Sequence, residues 1–419
     1  MKRSFLCVLA LLLTCVALCA PRLALGQGTR LIQPSDFEYK GAFRLPDGPE
    51  EFAWLWSGAA LTYYPGGDPK GPDDGYPGSL FGVGHDWNNH VSEIGIPAPV
   101  VSAAKNLDEL NTATTLQEFK DITGGMFGEM EQPRVGLEYL PKQGEQQTDK
   151  LYFCRAPHLG DVDKNPSHGW CELDLANPQP AGPWRIGDYR NYVTTHYIFQ
   201  IPKAWADQHV RGMRLATGRY RDGGQASQGP SLFAIAPWAE GNPPPRDAQI
   251  HATPLLLYPD VAAEEQHKMK DYQHADEWTA GAWLTAGEKS AVIFIGTKAK
   301  GKCWYGFPNG VVWPEEGPWP PVPDPPNDGR GWWATEFVGQ IVFYNPDDLA
   351  AVAKGEKKPH EPQPYATLDI DKWLYNVKSK QQVRHVRGAA FGRARGLLYV
   401  IEFRGDEDKS LIHVWQVKG

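Results

Sequence analysis

Beyond residue 26 this 419-residue sequence has no apolar run long enough to cross a membrane as a helix, so a membrane span is not expected. It has no run of basic residues, which argues against nucleic acid as the main partner. Cysteine is scarce: there are six, and three fall within the first 26 residues, too few for a disulfide framework. Long patterns of helical period are absent, so a helix bundle is excluded. A phosphate-cradling glycine loop and a serine nucleophile elbow are missing too, which removes the commonest nucleotide and acyl-transfer chemistries. No stretch of flexible linker composition divides the chain, so residues 27–419 are expected to form one domain.

What is present begins with Lys2 and Arg3, an apolar run from Phe5 to Ala20, and small residues at Ala24 and Gly26. This is the layout of a secretory signal peptide over residues 1–26, with a secreted or periplasmic mature protein as the expectation. Removing it takes away three positive charges, so the net charge goes from −8 to −11. The mature chain would keep Cys154, Cys171 and Cys303. The first two flank a loop between strand-like segments, and export would permit a disulfide there.

Glycine, proline and tryptophan are spread along the whole length, between many short strand-like runs. A degenerate repeat organises them. Five segments carry a glycine inside a small, apolar strand: "SGAALTYY" at Gly58, "VGLEYL" at Gly136, "RGMRLATG" at Gly212, "AGAWLTAG" at Gly281 and "RGAAFG" at Gly388. Each is followed by a turn and a second, bulkier strand: 79–85, 150–158, 231–238, 291–298 and 397–404. A small-residue strand suits the crowded axis of a β-propeller, and the bulkier strand suits the middle of a blade. Outer strands are legible at 91–97 with 113–121, and at 339–346 with 364–371, whereas "THYIFQIPKAW" (195–205) reads as an outer strand of the second blade or an insertion. The expectation is an all-β, five-bladed propeller, closed by pairing of an N-terminal strand (37–46) with the last blade, so that no sheet edge stays open. The spacings of 78, 76, 69 and 107 between the five glycines exceed the propeller repeat of roughly 40–50, which leaves room for further blades. In this pattern the chain resembles secreted bacterial β-propeller proteins, a group that includes polysaccharide lyases, glycoside hydrolases and purely binding modules. The resemblance carries no catalytic signature over to particular residues.

In propellers the loops entering the inner strands and those leaving the second strands usually form the ligand face, an analogy from architecture alone. Before the inner strands lie Trp54 and Trp56, Glu131 and Arg134, His209 and Arg211, then His274, Asp276, Glu277 and Trp278, and finally Arg384, His385 and Arg387. After the second strands come His85, His158, Trp238, Lys298 and Arg404. Arg134, Arg211 and Arg387 stand one or two places before a shared glycine, and such guanidinium groups suit a carboxylate or sulfate. A Pro- and Trp-rich insertion at 303–333, including Trp304 and Trp313, presents aromatic faces of the kind that stack on sugar rings. Asp161, Asp163, Asn165 and Glu172 follow the spacing of a calcium loop, although Pro166 replaces its turn glycine, so a structural Ca2+ is one reading and a solvated acidic turn the other.

Two functions follow. The first is an enzyme acting on an anionic, uronic-acid-containing polysaccharide by β-elimination. Arg134, Arg211 and Arg387 would neutralise the carboxylate, His274 or His209 would be the base, and His85 or His385 the acid. Glu131, Asp276, Glu277, Trp56, Trp238, Trp278, Trp304 and Trp313 would complete the substrate site. A glycoside hydrolase would instead need two facing carboxylates, for which Glu131 with Asp276 or Glu277 are the candidates. The second function is a non-catalytic propeller module that recognises a glycan or a protein.

Overall fold

The computed structural model describes residues 29–48, 53–68, 70–159, 163–220, 222–262 and 265–419. The apolar segment 1–26 lies outside the described residues, as does Asp161. The chain forms five small, mainly antiparallel sheets arranged as a ring, a five-bladed β-propeller; the two-residue strands Arg30–Leu31 and Gln249–Ile250 add parallel pairs to the sheets of blades four and two.

Blade one contains Leu61–Tyr64, Ser79–Val83, Val91–Gly95 and Thr115–Lys120. Blade two contains Arg134–Leu140, Lys150–Ala156, His168–Cys171 and Ala181–Ile186. Blade three is built from Tyr197–Gln200, Leu215–Gly218, Leu232–Ile235 and Ala252–Leu256. In blade four, Glu277–Ala286, Lys289–Gly306 and Gly331–Tyr344 precede Ala366–Asp369. Blade five holds Val386–Gly392, Leu397–Asp406 and Lys409–Val417, and its fourth strand is the N-terminal Phe37–Arg44. That last pairing closes the ring as the sequence suggested, with the N-terminal Phe37–Arg44 and the C-terminal Lys409–Val417 in one sheet.

The first strand of each blade packs against the first strand of the next, and blade five returns to blade one. Small residues make this convergence possible. A Cβ on Gly136 would fall 2.7 Å from the carbonyl oxygen of His196, and one on Gly388 would fall 2.9 Å from the backbone of Ala60. The apolar cores lie between neighbouring blades: Phe81, Val83, Leu137 and Phe153 join blades one and two, and Phe43, Leu80, Tyr399 and Ile412 join blades five and one. Each fully buried side chain of this kind contributes about 1.5–3 kcal/mol.

One element differs from the sequence reading. The inner strand of blade three is Tyr197–Gln200, whose neighbours are the inner strands of blades two and four. The glycine-marked segment at Gly212 leads into the second strand, Leu215–Gly218, and the segment 231–238 holds the third. Gly212 itself sits in the connecting loop with φ +79, where glycine relieves backbone strain and has no part in axial packing. Cys154 and Cys171 are both free and buried. Cys171 lies opposite Leu151 and Cys154 opposite His168, so an odd register offset turns the two thiols toward different faces of the sheet.

Candidate functional site

Strand direction alternates within a blade, so loops entering first strands and loops leaving second strands share one end of the ring. At that end the axis opens into a cavity of about 980 Å³. Every blade contributes to its wall: Trp56 and His85 from blade one, Arg134 and Arg155 from blade two, His196 and Tyr220 from blade three, Glu277 and Thr279 from blade four, Arg387 and Arg404 from blade five. Four lining residues other than glycine (Trp56, Gln132, Arg384 and Arg404) hold positive φ. Such backbone persists where surrounding packing enforces it, commonly beside functional clefts.

Five arginines and five carboxylates border the cavity, so its charge is patterned and not uniformly cationic. On the blade-five side the guanidinium groups are committed. Arg387 donates to Asp86 at 2.6 Å and packs its guanidinium 3.7 Å from the centre of the Phe403 ring. Arg384 lies 4.0 Å from Glu277, and Arg404 donates to Asp408 at 2.7 Å. On the blade-two side the arrangement is different. Arg134 donates to Nδ1 of His158 at 2.9 Å. Arg155 forms no ion pair among the described residues, and its Nε is buried without a hydrogen-bond partner. Burial, only partly opposed by the attraction of Asp121, holds Arg155 below the usual guanidinium range.

Two imidazoles of the cavity, His85 and His196, are held below their ordinary range. His85 is 3 % exposed, and burial first, then Arg387, holds it below its ordinary range against the pull of Asp86. Its Nδ1 accepts from the backbone N–H of Trp87 at 3.0 Å, so the neutral ring carries its proton on Nε2. His196 stands at the start of the blade-three inner strand, 7 % exposed, and its Nδ1 has no hydrogen-bond partner. Trp56 is 41 % exposed and Trp87 is 70 % exposed, which leaves two indole faces open at the mouth.

The structure brings His85, Arg134, Arg387, Glu277, Trp56 and Trp278 to this cavity. Trp278 is fully buried, so its indole belongs to the core beneath. His274 stands outside the lining, stacked 4.5 Å from Trp332, with Nδ1 beside the Tyr272 hydroxyl at 2.7 Å. Asp276 is fully buried against Lys298, at 2.8 Å, and accepts the backbone N–H of Ala299 at 3.0 Å. His385 is 1 % exposed, with Nδ1 2.9 Å from Asp371. Glu131 is exposed and is not part of the cavity wall. Thus only Glu277 of the carboxylates considered for hydrolysis reaches the cavity.

His209 and Arg211 lie at the opposite end of the ring, because the loop that holds them joins the first and second strands of blade three. Trp238 follows the third strand and is buried at that same far end, next to Gly144. The insertion 303–333 prolongs the second and third strands of blade four into a hairpin arm, paired as far as Gly306 and Gly331. Trp304 donates to the Phe307 carbonyl at 3.0 Å, and Trp313 is stacked on Trp319 with Arg330 4.5 Å above it. Neither Trp304 nor Trp313 lines the cavity. Glu172 is engaged by Lys150 and Thr148, while the backbone carbonyls of Asp163 and Asn165 accept from Asn191. Among the described residues no group of three or more His, Cys, Asp or Glu is placed to hold a metal ion.

Sequence reasoning missed Arg155, His196, Trp87 and Asp121. Arg155 was hidden inside the strand "KLYFCRAPH", where the alternation of faces was the available signal. His196 was hidden by the displaced strand assignment in blade three. The chain matches no known protein family and no curated protein. Fold and site together define a five-bladed propeller with a polar axial cavity. Among the described residues no helix is long and apolar enough to cross a membrane.

Proposed function

We propose that this is an exported propeller that takes a uronate unit of an anionic polysaccharide into its axial cavity and cleaves the chain by β-elimination. The observation that carries the reading is Arg155 in the blade-two wall of the cavity, a guanidinium that forms no ion pair among the described residues and whose Nε is buried without a hydrogen-bond partner. A sugar carboxylate supplies the missing charge through charge-assisted hydrogen bonds. Neutralising that carboxylate acidifies the adjacent C–H bond, which is the first requirement of elimination. A neutral imidazole is the proton acceptor that chemistry needs. The Nε2–H of His85 stabilises the oxygen that departs, and Trp56 and Trp87 offer faces to flanking sugars.

The test is incubation of the purified protein with polyuronates and, as controls, neutral glucans, followed by ultraviolet absorbance. New absorbance from an unsaturated uronate, only with the acidic polymers, is expected. Shortened chains lacking that chromophore would show hydrolysis instead. Retention of a uronate polymer that stays intact would leave a binding module, the reading that needs no proton acceptor.

A further inference from the structure

The proposed reaction requires a group that removes a proton, and the histidines singled out by sequence do not supply it. His274 is tied to Tyr272 and Trp332, His385 to Asp371, and His209 is at the far end of the ring. The neutral tautomer of His85 has a proton, not a lone pair, on Nε2. We infer that His196 is the group that removes the substrate proton in this cavity, and that the bound carboxylate of the substrate switches the ring on. This inference rests on the uronate reading of the cavity.

Three observations support it. His196 lies at the start of an axial strand and borders the cavity. Among the described residues no hydrogen bond engages its ring, and Nδ1 is buried with no partner. A buried imidazole nitrogen without a partner is costly, by about 1–3 kcal/mol, unless a ligand uses it. Finally, guanidinium groups from other elements surround the ring, Arg134 of blade two, Arg219 beyond the second strand of blade three and Arg387 of blade five, with the His158 imidazole adding to their effect. Burial first, and then these four, keep it far below the ordinary imidazole range. The carboxylates of Asp121 and Glu277 also border the cavity but do not offset them. Under these charges alone His196 is neutral and a poor base. A carboxylate bound in the cavity, within reach of these guanidinium groups, cancels part of that field, which favours the imidazolium.

The step balances without a further reagent. A ring nitrogen of His196 bonds to the hydrogen on the carbon next to the sugar carboxylate. The electron pair of that C–H bond becomes the new C=C bond, the C–O bond to the departing sugar breaks, and its electron pair leaves on oxygen. That oxygen takes a proton from water, and the imidazolium of His196 returns one to the resulting hydroxide. Nothing is oxidised or reduced.

The experiment uses the full mature chain, labelled at histidine with ¹⁵N, and D-glucuronate as probe. Titrated alone, the His196 ring is expected to stay neutral down to the acid limit of folding. With saturating glucuronate its nitrogens shift into a measurable titration. His196→Gln, which keeps a polar amide in the space, is expected to bind glucuronate as before and to lose turnover of polyuronate by about 10²–10⁴-fold. His196→Ala provides the check on packing, read by thermal unfolding. If glucuronate fails to bind wild type, the uronate reading falls and the inference with it. If glucuronate binds and polyuronate is cleaved, but His196→Gln keeps its turnover or the ring does not respond to glucuronate, the inference alone is overturned. If glucuronate binds and wild type cleaves no polyuronate, no proton is being removed and the role of His196 is overturned while the binding reading stands.

Discussion

At the end of the axis away from the cavity, five inner strands meet in a polar network whose pH dependence can be worked out. Thr62 of blade one donates to Glu138 of blade two at 3.0 Å, and the backbone N–H of Gln200 of blade three donates to the same carboxyl at 3.2 Å. Arg393, just past the blade-five inner strand, donates to the Gln200 carbonyl at 3.2 Å and to Thr285 of blade four at 3.0 Å. Enclosure raises the Glu138 carboxyl from 4.5 to about 8, against the opposing pull of Thr62, Arg393 and the Gln200 N–H. A carboxyl raised on folding favours the native state at low pH, and that contribution is lost as pH climbs from 4.5 towards 8. At about 1.4 kcal/mol per pH unit, the loss between pH 5 and pH 8 is about 3–4 kcal/mol for a dry site. Glu138 is not completely buried, so screening by water reduces this to about 2–3 kcal/mol. Glu138→Gln removes the titration and keeps the shape. Urea unfolding of both proteins from pH 5 to pH 8 should show the variant gaining on wild type by that amount as pH rises. A stability difference that stays constant with pH would refute the argument, since groups common to both proteins cancel in it.

Three more outcomes are expected. Asp276→Ala leaves Lys298, whose side chain is 8 % exposed, buried without its counter-charge, and should cost about 3–5 kcal/mol in chemical denaturation; adding Lys298→Met should recover most of the loss. Phe43→Ala, in the strand that closes the ring, removes a fully buried ring and should lower unfolding free energy by about 3–5 kcal/mol. In calorimetry Arg155→Ala should weaken glucuronate binding by about 10–100-fold, the worth of one charge-assisted hydrogen bond, whereas Arg211→Ala should leave binding and turnover unchanged.

Much of the architecture was legible because propellers repeat. Gly136, Gly281 and Gly388 mark real points of axial crowding, while Gly58 stands just before its inner strand and packs on Ile401 of the blade-five second strand; the apolar strands after all four are real second strands. The closing strand was legible because 37–46 and 411–417 each lacked a partner nearby in sequence. Blade three was not, because Gly212 imitates the marker from a turn while the true inner strand, Tyr197–Gln200, has no internal glycine. Arg134, Arg387 and His85 line the cavity, and adjacency to an inner or second strand suffices to place them at that end of the ring. Asp276 and His385 satisfy the same rule but point into the interior, where Lys298 and Asp371 hold them.

The sequence by itself thus determined the fold class and the closure of the ring, since both follow from strand periodicity and from glycine where backbones converge. Only the tertiary structure decided which end of the ring each loop occupies. Alternate strands run in opposite directions, so a slip of one strand in a blade exchanges the two ends. That exchange removed His209 and Arg211 from the cavity and brought in His196. Side-chain direction was settled later still, by the pairing of buried charges, and no spacing along the chain encodes it.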